Sequence, residues 1–316
     1  MNPMPSLPLT LPQPPAGRSG WPWIAPGQAA HTRLSHREWP RITVITPSFN
    51  QGRFLEETIR SVLIQGYPNL EYMVIDGGST DNSIDVIRKY QRWITYWISE
   101  PDGGQPQAIN KGLARATGDI FNFINSDDVL APRSLFEIAA AMEGHDAVAG
   151  SIVEFWDGGP AHTIFQSQLE SKRMLHKWHG RFAQSGLWLR RSRVEECGGI
   201  DEAFQFIFDW DLAVRYLTLF PDVVYLPHIV AWFRMHEVSK SVAHQDSFES
   251  ERFLMYEKLL ALPAFRSLHP ACSRSLRAHA RTETLARIRE RKDIAAWRRT
   301  LMLLQAHVMQ PGRRSR

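Results

Sequence analysis

Hydrophobic residues between about positions 41 and 130 fall into short blocks, and two kinds of spacing alternate along the chain. Continuous apolar or β-branched runs predict buried strands, whereas apolar residues three and four apart predict the inner face of a helix. The predicted strands are Ile42–Thr46, Leu70–Ile75, Ile94–Ile98 and Ile120–Ile124. The helices between them are predicted from three apolar groups: Phe54, Leu55, Ile59, Val62 and Leu63; Ile84, Val86 and Ile87; Ala108, Ile109 and Leu113. This alternation predicts an α/β fold with a mostly parallel sheet flanked by helices.

The two ends of the chain differ in composition from this middle region. Residues 1–40 hold nine of the twenty prolines. They are predicted to be an extended or disordered leader, because proline supplies no backbone N–H for a helix or a sheet. Residues 41–240 carry the alternating elements and are predicted to form one domain. Residues 241–316 are predicted to be a basic helical extension, since apolar residues recur at helical spacing from Leu285 to Val308 among many arginines.

The basic extension has two interpretations that the sequence leaves open. An apolar stripe opposite arginines can lie on anionic lipid, which predicts a peripheral membrane contact. The same stripe can pack on the domain or on a second subunit. A membrane-spanning segment is not predicted, because the best candidate, Val223–Phe233, is short and is interrupted by Pro227 and His228.

Charge and cysteine content narrow the function class. The chain has a net charge of +4, but residues 251–316 carry +10 and the other residues carry −6. An acidic body argues against nucleic-acid binding through the basic end. Cys197 and Cys272 offer neither a disulfide framework nor a four-thiolate zinc site. With no secretory signal recognised, we expect a cytoplasmic protein, peripheral on the inner face of the membrane if the extension binds lipid.

Polar clusters follow the predicted strands, at the edge of the sheet where parallel α/β folds bind ligands. They are Pro47-Ser-Phe-Asn-Gln51, Asp76, the turn at Asp102, and the pair Asp127 and Asp128. No dinucleotide-binding G-x-G-x-x-G and no Walker A loop is present. Carboxylates are ligands that suit Mg²⁺ or Mn²⁺. A metal held there can neutralise a leaving diphosphate.

Some of these residues also have purely structural interpretations. One of Ser79–Asp81 is predicted to begin the helix that follows. Asp76 stands at the strand terminus, too early for that role. Pro132 suits the first position of the next helix, which leaves Asp127 and Asp128 unused as helix caps.

Eight motifs in order make residues 41–240, about two thirds of the chain, resemble glycosyltransferase family 2. These are the inverting enzymes with a GT-A fold, many of which build bacterial surface polysaccharides. The resemblance implies a Rossmann-like sheet with helices on both faces. The matching stretches are Thr46-Pro-Ser-Phe-Asn-Gln51, Val74-Ile-Asp-Gly-Gly-Ser-Thr-Asp-Asn-Ser83, Ala108-Ile-Asn-Lys-Gly112, Ala116-Thr-Gly-Asp119, Phe123-Ile-Asn-Ser-Asp-Asp128, Gly198-Gly-Ile-Asp-Glu202, Phe208-Asp-Trp-Asp-Leu212 and Arg234-Met-His236.

The resemblance implies a site for a nucleoside-diphosphate sugar and a metal ion, Mg²⁺ or Mn²⁺. Asp76 would contact the nucleotide base. The other implied donor-binding residues are Pro47, Ser48, Asn50, Asn110, Asn125 and Asp127. Asp127, Asp128 and His236 would bind the metal or the diphosphate. The family pattern is Asp-x-Asp, so Asn125 at its first position is a departure. Lys111 is either a solvated helix residue or a phosphate contact.

On the acceptor side, Asp209 matches the family's general base. Phe208 replaces the common Glu before it, which is a second departure. Trp210 is predicted to stack on acceptor sugar rings, and Asp211 either lies beside the acceptor or caps the helix that follows. Burying a carboxylate without a partner is costly, so aspartates in such an aromatic stretch are expected to have a functional role.

The function implied is transfer of a sugar from a nucleoside diphosphate to a glycan or lipid-linked acceptor, with inversion and metal assistance. The alternative is a catalytically inactive sugar-nucleotide-binding partner in a polysaccharide assembly complex. The departures at Asn125 and Phe208 are the only support for that alternative.

Overall fold

A computed structural model describes residues 11–24, 38–175, 182–237, 239–240 and 245–290, with side chains up to Arg281. The described residues up to Arg252 form one compact unit, and those from Phe253 onward form a second. The apolar stripe predicted between Leu285 and Val308 lies outside the described side chains. Among the helices of the described ranges, none is both long and apolar enough to cross a membrane.

The strands of the described chain form one sheet. Each strand predicted from the sequence is followed by a polar loop at its carboxyl end. In chain order they are β1 (Ile42–Ser48), β2 (Leu70–Asp76), β3 (Tyr96–Ser99), β4 (Ile120–Phe123), β5 (Val129–Leu130), β6 (Ala147–Trp156), β7 (Ala161–Ile164), β8 (Leu187–Arg190) and β9 (Val223–Met235). Their order across the sheet is β3-β2-β1-β4-β8-β6-β9-β5, and β7 pairs with β6.

The first half of the sheet is parallel and the second half is mixed. β1 pairs in parallel with both β2 and β4, and β2 pairs in parallel with β3. β8 runs antiparallel to β4 and β6, whereas β9 runs parallel to β6. The parallel strands of the first half bring their carboxyl ends to one edge, as predicted for the ligand site.

The described residues contain nine α-helices. They are α1 (Gly52–Leu63), α2 (Ser83–Tyr90), α3 (Gln105–Leu113), α4 (Ser134–Ala141), α5 (Ser171–Met174), α6 (Arg191–Glu196), α7 (Phe208–Leu219), α8 (Gln245–Ala261) and α9 (His269–Glu290). The apolar residues that predicted α1 are all buried, so its periodicity is confirmed. Gly52 begins α1, and a Cβ there would overlap the carboxamide of Asn82 at the start of α2.

Two predicted starts are wrong, and the ends of β1, β2 and β4 differ from the predicted ends by one or two residues. β3 spans Tyr96–Ser99, whereas the strand was predicted around Ile94 to Ile98; Ile94 is buried in the segment between the preceding turn and the strand. Pro132 does not begin α4. Ala131 still donates its N–H to the Val230 carbonyl, and Arg133 has a left-handed conformation with φ of 67°. The helix therefore starts at Ser134.

The predicted disorder of the leader is wrong for residues 11–24, which pack against α1. Trp23 is only 6% exposed. Buried Arg60 donates hydrogen bonds to the carbonyls of Pro12, Pro22 and Trp23 at 2.7, 3.3 and 2.9 Å. The Trp21 indole donates to the Leu130 carbonyl at 2.7 Å. Proline removes backbone donors but leaves backbone carbonyls, and a buried guanidinium binds those carbonyls.

Candidate active site

The loop after β2 is organised by the carboxylate of Asp76, which is fully buried. One of its oxygens accepts hydrogen bonds from the N–H of Gly78 (3.1 Å), the N–H of Ser79 (2.8 Å) and the hydroxyl of Ser99 (2.7 Å). The other accepts from the Ser79 hydroxyl at 2.6 Å. Asp76, predicted to contact a base, therefore also fixes the shape of the loop in which it stands.

Asn50 connects this loop to the end of β1. Its backbone has φ of 52°. Its side-chain oxygen accepts a hydrogen bond from the Thr80 N–H at 2.8 Å, and its own N–H donates to the Ser79 hydroxyl at 2.7 Å. Of the residues predicted to begin α2, it is Asp81 whose carboxylate bonds the Ser83 N–H (2.9 Å) and the Gly52 N–H (2.9 Å). Ser79 does not have that role.

Pro47 and Ser48 are the last two residues of β1 and are buried beside this loop. The buried hydroxyl of Ser48 has no hydrogen-bond partner among the described residues. A buried hydroxyl without a partner is costly. It is therefore available to a ligand at this edge.

Asp127 and His236 form the second group at the edge. The Asp127 Oδ2 and His236 Nε2 atoms are 2.9 Å apart. His236 is 7% exposed, and its ring packs on Phe54 with ring centroids 4.9 Å apart. Its Nδ1 atom has no hydrogen-bond partner in the described part of the chain. The structure thus brings together two of the three residues predicted to bind metal.

Asp128, the third, points into the protein. It is fully buried, and its carboxylate accepts hydrogen bonds from the Arg234 N–H at 3.0 Å and from the Asn125 amide at 3.1 Å. Burial raises the pKa of Asp128 well above its usual value, and the negative charge of Asp127 raises it further. Asp128 therefore braces the turn from within, while Asp127 faces His236.

Asn125 has a structural reason to be an amide. Its Nδ2 donates to Asp128, while its Oδ1 accepts from the Gln105 side chain at 2.7 Å. A carboxylate at position 125 could accept from Gln105 but could not donate to Asp128. The departure from the Asp-x-Asp pattern at position 125 therefore provides a hydrogen-bond donor for the buried Asp128 carboxylate.

Arg234 joins the turn to two other elements. It is 4% exposed and forms ion pairs with Glu57 of α1, at 2.9 Å, and with Asp157 after β6. Its Nε donates to the Asp127 carbonyl at 3.0 Å. Arg234 therefore fixes the backbone of the turn that carries Asp127.

Asp209 is the second residue of α7 and lines a pocket formed with β4 and β8. The pocket is lined by Phe121, Asn122, Phe123, Phe182, Gln184, Leu187, Leu189, Asp209, Leu212 and Ala213. The Asp209 carboxylate accepts the N–H of Trp210 at 2.7 Å. Loss of hydration raises the pKa of Asp209 to about 6; hydrogen bonds to backbone N–H groups and the charge of Lys240 oppose the rise, and the charge of Glu251 adds to it.

Trp210 and Asp211, which follow Asp209 in α7, are both buried against other parts of the protein. Trp210 is 7% exposed and packs edge-on against Phe182, with centroids 5.1 Å apart. Asp211 is fully buried and pairs with Arg215 at 2.7 Å. Arg215 also donates to the carbonyls of Cys197 and Gly199. Asp211 thus helps to hold the loop before Ile200, and an acceptor contact by Asp211 stays a prediction.

Asn110 and Lys111 are engaged within the protein. Asn110 donates to the Ile200 carbonyl at 2.9 Å and to Glu202 at 2.8 Å, and it accepts the Ile200 N–H at 3.2 Å. Lys111 pairs with Glu100 at 2.8 Å. The role of Asn110 in donor binding remains a prediction.

Three site residues were not found from the sequence: Gln105, Lys240 and Glu251. Lys240 donates to the Gln105 side chain at 3.1 Å and to the Gln205 carbonyl at 3.2 Å. The charges of Lys240 and Glu251 both act on Asp209. The only available sequence signal was that Gln105 stands at the start of α3, directly after the Asp102 turn.

A metal ion fits part of this site. Within the described ranges, no group of three or more His, Cys, Asp or Glu side chains is arranged to hold a metal. Asp127 and His236 nevertheless offer a carboxylate and an imidazole side by side, both ligand types for divalent ions. A metal held by these two residues would need further oxygen ligands, which a diphosphate supplies.

Solved structures with the same fold are GT-A glycosyltransferases. TarS of S. aureus, solved with UDP-GlcNAc, aligns with a TM-score of 0.59 at 18% identity, covering 73% of this chain and 72% of that chain. PcManGT, a mannosyltransferase of Pyrobaculum calidifontis solved with GDP-Man and Mn²⁺, aligns with a TM-score of 0.53 at 20% identity, covering 86% of each chain. The predicted GT-A fold is confirmed.

Sequence comparison gives the family. Residues 43–198 match the family model described as Glycosyl transferase family 2. Rv1514c of Mycobacterium tuberculosis, named as an uncharacterized glycosyltransferase, is 38% identical over 122 residues, which are 38% of this chain and 45% of that protein. Residues 43–198 therefore belong to glycosyltransferase family 2, as the motifs of the chain predicted. The chain spans about half the length of this curated relative.

Proposed function

We propose that the protein transfers a sugar from a nucleoside-diphosphate donor to a hydroxyl of a glycan or lipid-linked acceptor, with inversion at the anomeric carbon. One observation carries this proposal. A chain of hydrogen bonds runs from Asp128 through Asn125 and Gln105 to Lys240, whose charge acts on Asp209. This network supports the proposal that the turn with the Asp127–His236 pair and the Asp209 carboxylate act in one site.

The donor is proposed to bind along the edge formed by β1, β2 and β4. Ser48 offers a buried hydroxyl without a protein partner, beside the loop held by Asp76 and Asn50. Asp127 and His236 would hold Mg²⁺ or Mn²⁺, and the bound ion would neutralise charge on the leaving diphosphate. This proposal is supported by the Mn²⁺ in the mannosyltransferase structure and by the carboxylate and imidazole that Asp127 and His236 offer as metal ligands.

Asp209 is proposed to be the general base. An inverting transfer in one step needs a carboxylate that takes the proton from the acceptor hydroxyl as its oxygen bonds to the anomeric carbon and the bond to the diphosphate breaks. A pKa of about 6 leaves Asp209 mostly ionised at pH 7 and able to accept that proton. Asp211 is unsuited to this role, because its carboxylate pairs with Arg215.

The test compares Asp209→Asn with Asp211→Asn in one assay. Release of nucleoside diphosphate is measured with a panel of donors, Mn²⁺ and a cell-derived lipid or glycan acceptor, and donor binding is measured alongside by calorimetry. We expect Asp209→Asn to bind donor as the wild type does and to lose roughly 10²–10⁴-fold in transfer. Asp211→Asn should mainly lose stability, because it leaves Arg215 without its charge partner. Excess chelator should abolish transfer.

Three results would contradict the proposal in different ways. Wild-type turnover by Asp209→Asn together with an inactive Asp211→Asn would move the base to Asp211. Full activity in excess chelator would show that transfer does not require a metal ion. Donor binding without transfer to any acceptor would favour the inactive binding partner. Membrane contact through the extension stays a prediction, because its stripe lies outside the described side chains.

A further inference from the structure

The segment that leads into α7 is held by a residue from a distant helix. Glu251 of α8 accepts hydrogen bonds from three successive backbone N–H groups: Gln205 at 2.8 Å, Phe206 at 2.8 Å and Ile207 at 3.1 Å. Both carboxylate oxygens take part. Asp209 follows two residues after the last of these amides.

α7 has no cap of its own at this end. Ile207 stands at the N-cap position, and no side-chain cap hydrogen bond is made there. The usual N-cap residues, Ser, Thr, Asp and Asn, carry an oxygen for this purpose. A carboxylate that binds consecutive N–H groups near a helix N-terminus is also favoured by the partial positive charge of that end. Glu251 binds the three N–H groups that precede the helix rather than those of its first turn, so it anchors the segment that leads into α7.

The charged groups that act on Asp209 come from two places in the chain. Lys240 follows β9 and is tied to α3 through Gln105 and to the segment before α7 through the Gln205 carbonyl. Glu251 lies on α8. The positive charge of Lys240 lowers the pKa of Asp209 and the negative charge of Glu251 raises it. Burial lowers the pKa of the Lys240 amine overall, and the negative charges of Asp209, Glu251 and Asp102 act in the opposite direction.

We infer that Glu251 is a positioning residue for the general base: it fixes the start of α7, and with Lys240 it sets the charge around the Asp209 carboxylate. This inference rests on the proposed function. Glu251 lies in the segment predicted to be a basic extension, so the inference gives a residue of that segment a role in the chemistry of the domain.

The experiment measures kcat/KM for transfer against pH in the full chain, for the wild type, Glu251→Gln and Lys240→Gln. Because Asp209 must be ionised to act, activity rises with pH through its pKa. Removing the charge of Glu251 lowers that pKa, so the acid limb should move to lower pH by about 0.5 unit, about a threefold change in rate on the limb. Removing the charge of Lys240 should move it to higher pH. Glu251→Gln should also lower the plateau about tenfold, because the base is less well placed.

Glu249→Gln is the matched control. Glu249 lies on the same helix and pairs with Arg252 at 3.2 Å, with its side chain 62% exposed. We expect its pH profile and its plateau to be those of the wild type. Glu251→Asp keeps the charge on a shorter side chain, so it should lower the plateau without moving the limb, and it decides the question if Glu251→Gln does not fold.

The outcomes separate the inference from the function on which it rests. Turnover by Asp209→Asn would overturn the base itself. If Asp209→Asn is inactive but Glu251→Gln shares the wild-type limb and plateau, the positioning role is wrong. A Glu251→Gln variant that melts at a lower temperature with an unmoved limb would show a structural role alone, and it would overturn the inference.

Discussion

Asn125→Asp restores the Asp-x-Asp pattern of the family and tests why an amide stands in this chain. The Asn125 side chain makes two hydrogen bonds of opposite sense, one accepted from Gln105 at 2.7 Å and one donated to Asp128 at 3.1 Å. The substitution keeps the first and replaces the second by two carboxylates facing each other.

The expected loss of stability follows from that contact. Losing a hydrogen bond to a buried charged acceptor costs about 1–3 kcal/mol. Two charges about 3 Å apart repel by about 5 kcal/mol at an effective dielectric constant of about 20. Rotation of the new side chain or uptake of a proton relieves part of this repulsion. We therefore expect the free energy of unfolding to fall by about 2–4 kcal/mol in the absence of metal.

The assay is urea denaturation of the full chain, in EDTA and in Mn²⁺ with a nucleoside diphosphate, which supplies the further oxygen ligands that the ion needs. A divalent ion at Asp127 should attract the added carboxylate, so Mn²⁺ should stabilise Asn125→Asp more than the wild type. Asn82→Asp is the control, because it makes the same charge change at an exposed residue before α2. We expect it to change the unfolding free energy by less than about 1 kcal/mol, equally in both buffers.

Either of two results would refute the reasoning. If Asn125→Asp is as stable as the wild type in EDTA, the hydrogen bond to Asp128 does not account for the amide. If Asn125→Asp loses stability but Mn²⁺ restores no more of it than in the wild type, the turn does not hold a metal, and the metal part of the proposed function is lost with it.

Two further predictions concern buried arginines. Arg60→Met should speed tryptic cleavage after Arg18 at least tenfold and lower the unfolding free energy by about 2–4 kcal/mol, because the carbonyls of the leader lose their buried hydrogen-bond donor. As the control, Arg53→Met, at an exposed position of the same helix, should change the unfolding free energy by less than about 0.5 kcal/mol. Equal effects of the two substitutions would contradict the packing of the leader on Arg60. Arg215→Met should cost about 3–5 kcal/mol in urea denaturation, because it removes the guanidinium that pairs with the buried Asp211 carboxylate at 2.7 Å. The double variant with Asp211→Asn should recover part of that loss.

The sequence was sufficient for the parts of the fold that local pattern controls. The β-branched run from Ile42 and the helical spacing from Phe54 each describe one element, and both are confirmed. The start of α4 was wrong because Pro132 suits a helix as well as it suits the extended chain that continues β5. That choice depends on the Val230 carbonyl, which lies 98 residues after Pro132 in sequence and accepts the Ala131 N–H.

For the candidate site, the ordered motifs predicted which residues lie at the edge but not what each one bonds. Asp76 accepts a hydrogen bond from Ser99, which lies on β3. Asp128 turns inward because Arg234 supplies its N–H from β9. Glu251 belongs to no motif of the sequence, since its role exists only where α8 meets the segment before α7. Such pairings arise from packing, and a linear pattern does not contain them.

The docking of the leader on Arg60 uses backbone carbonyls, and this determines what the leader must encode. Carbonyl oxygens are the same in every residue, so the guanidinium binds the path of the chain and not the identity of its side chains. Much of the sequence between residues 11 and 24 is thereby free to vary as long as that path is kept. Leu11 and the tryptophans are exceptions. Leu11 packs against the hydrophobic core, the Trp21 indole is itself a donor, and the Trp23 ring lies 5.4 Å from the Arg60 guanidinium. The leader can thus tolerate drift in its composition while a single arginine within α1 retains it.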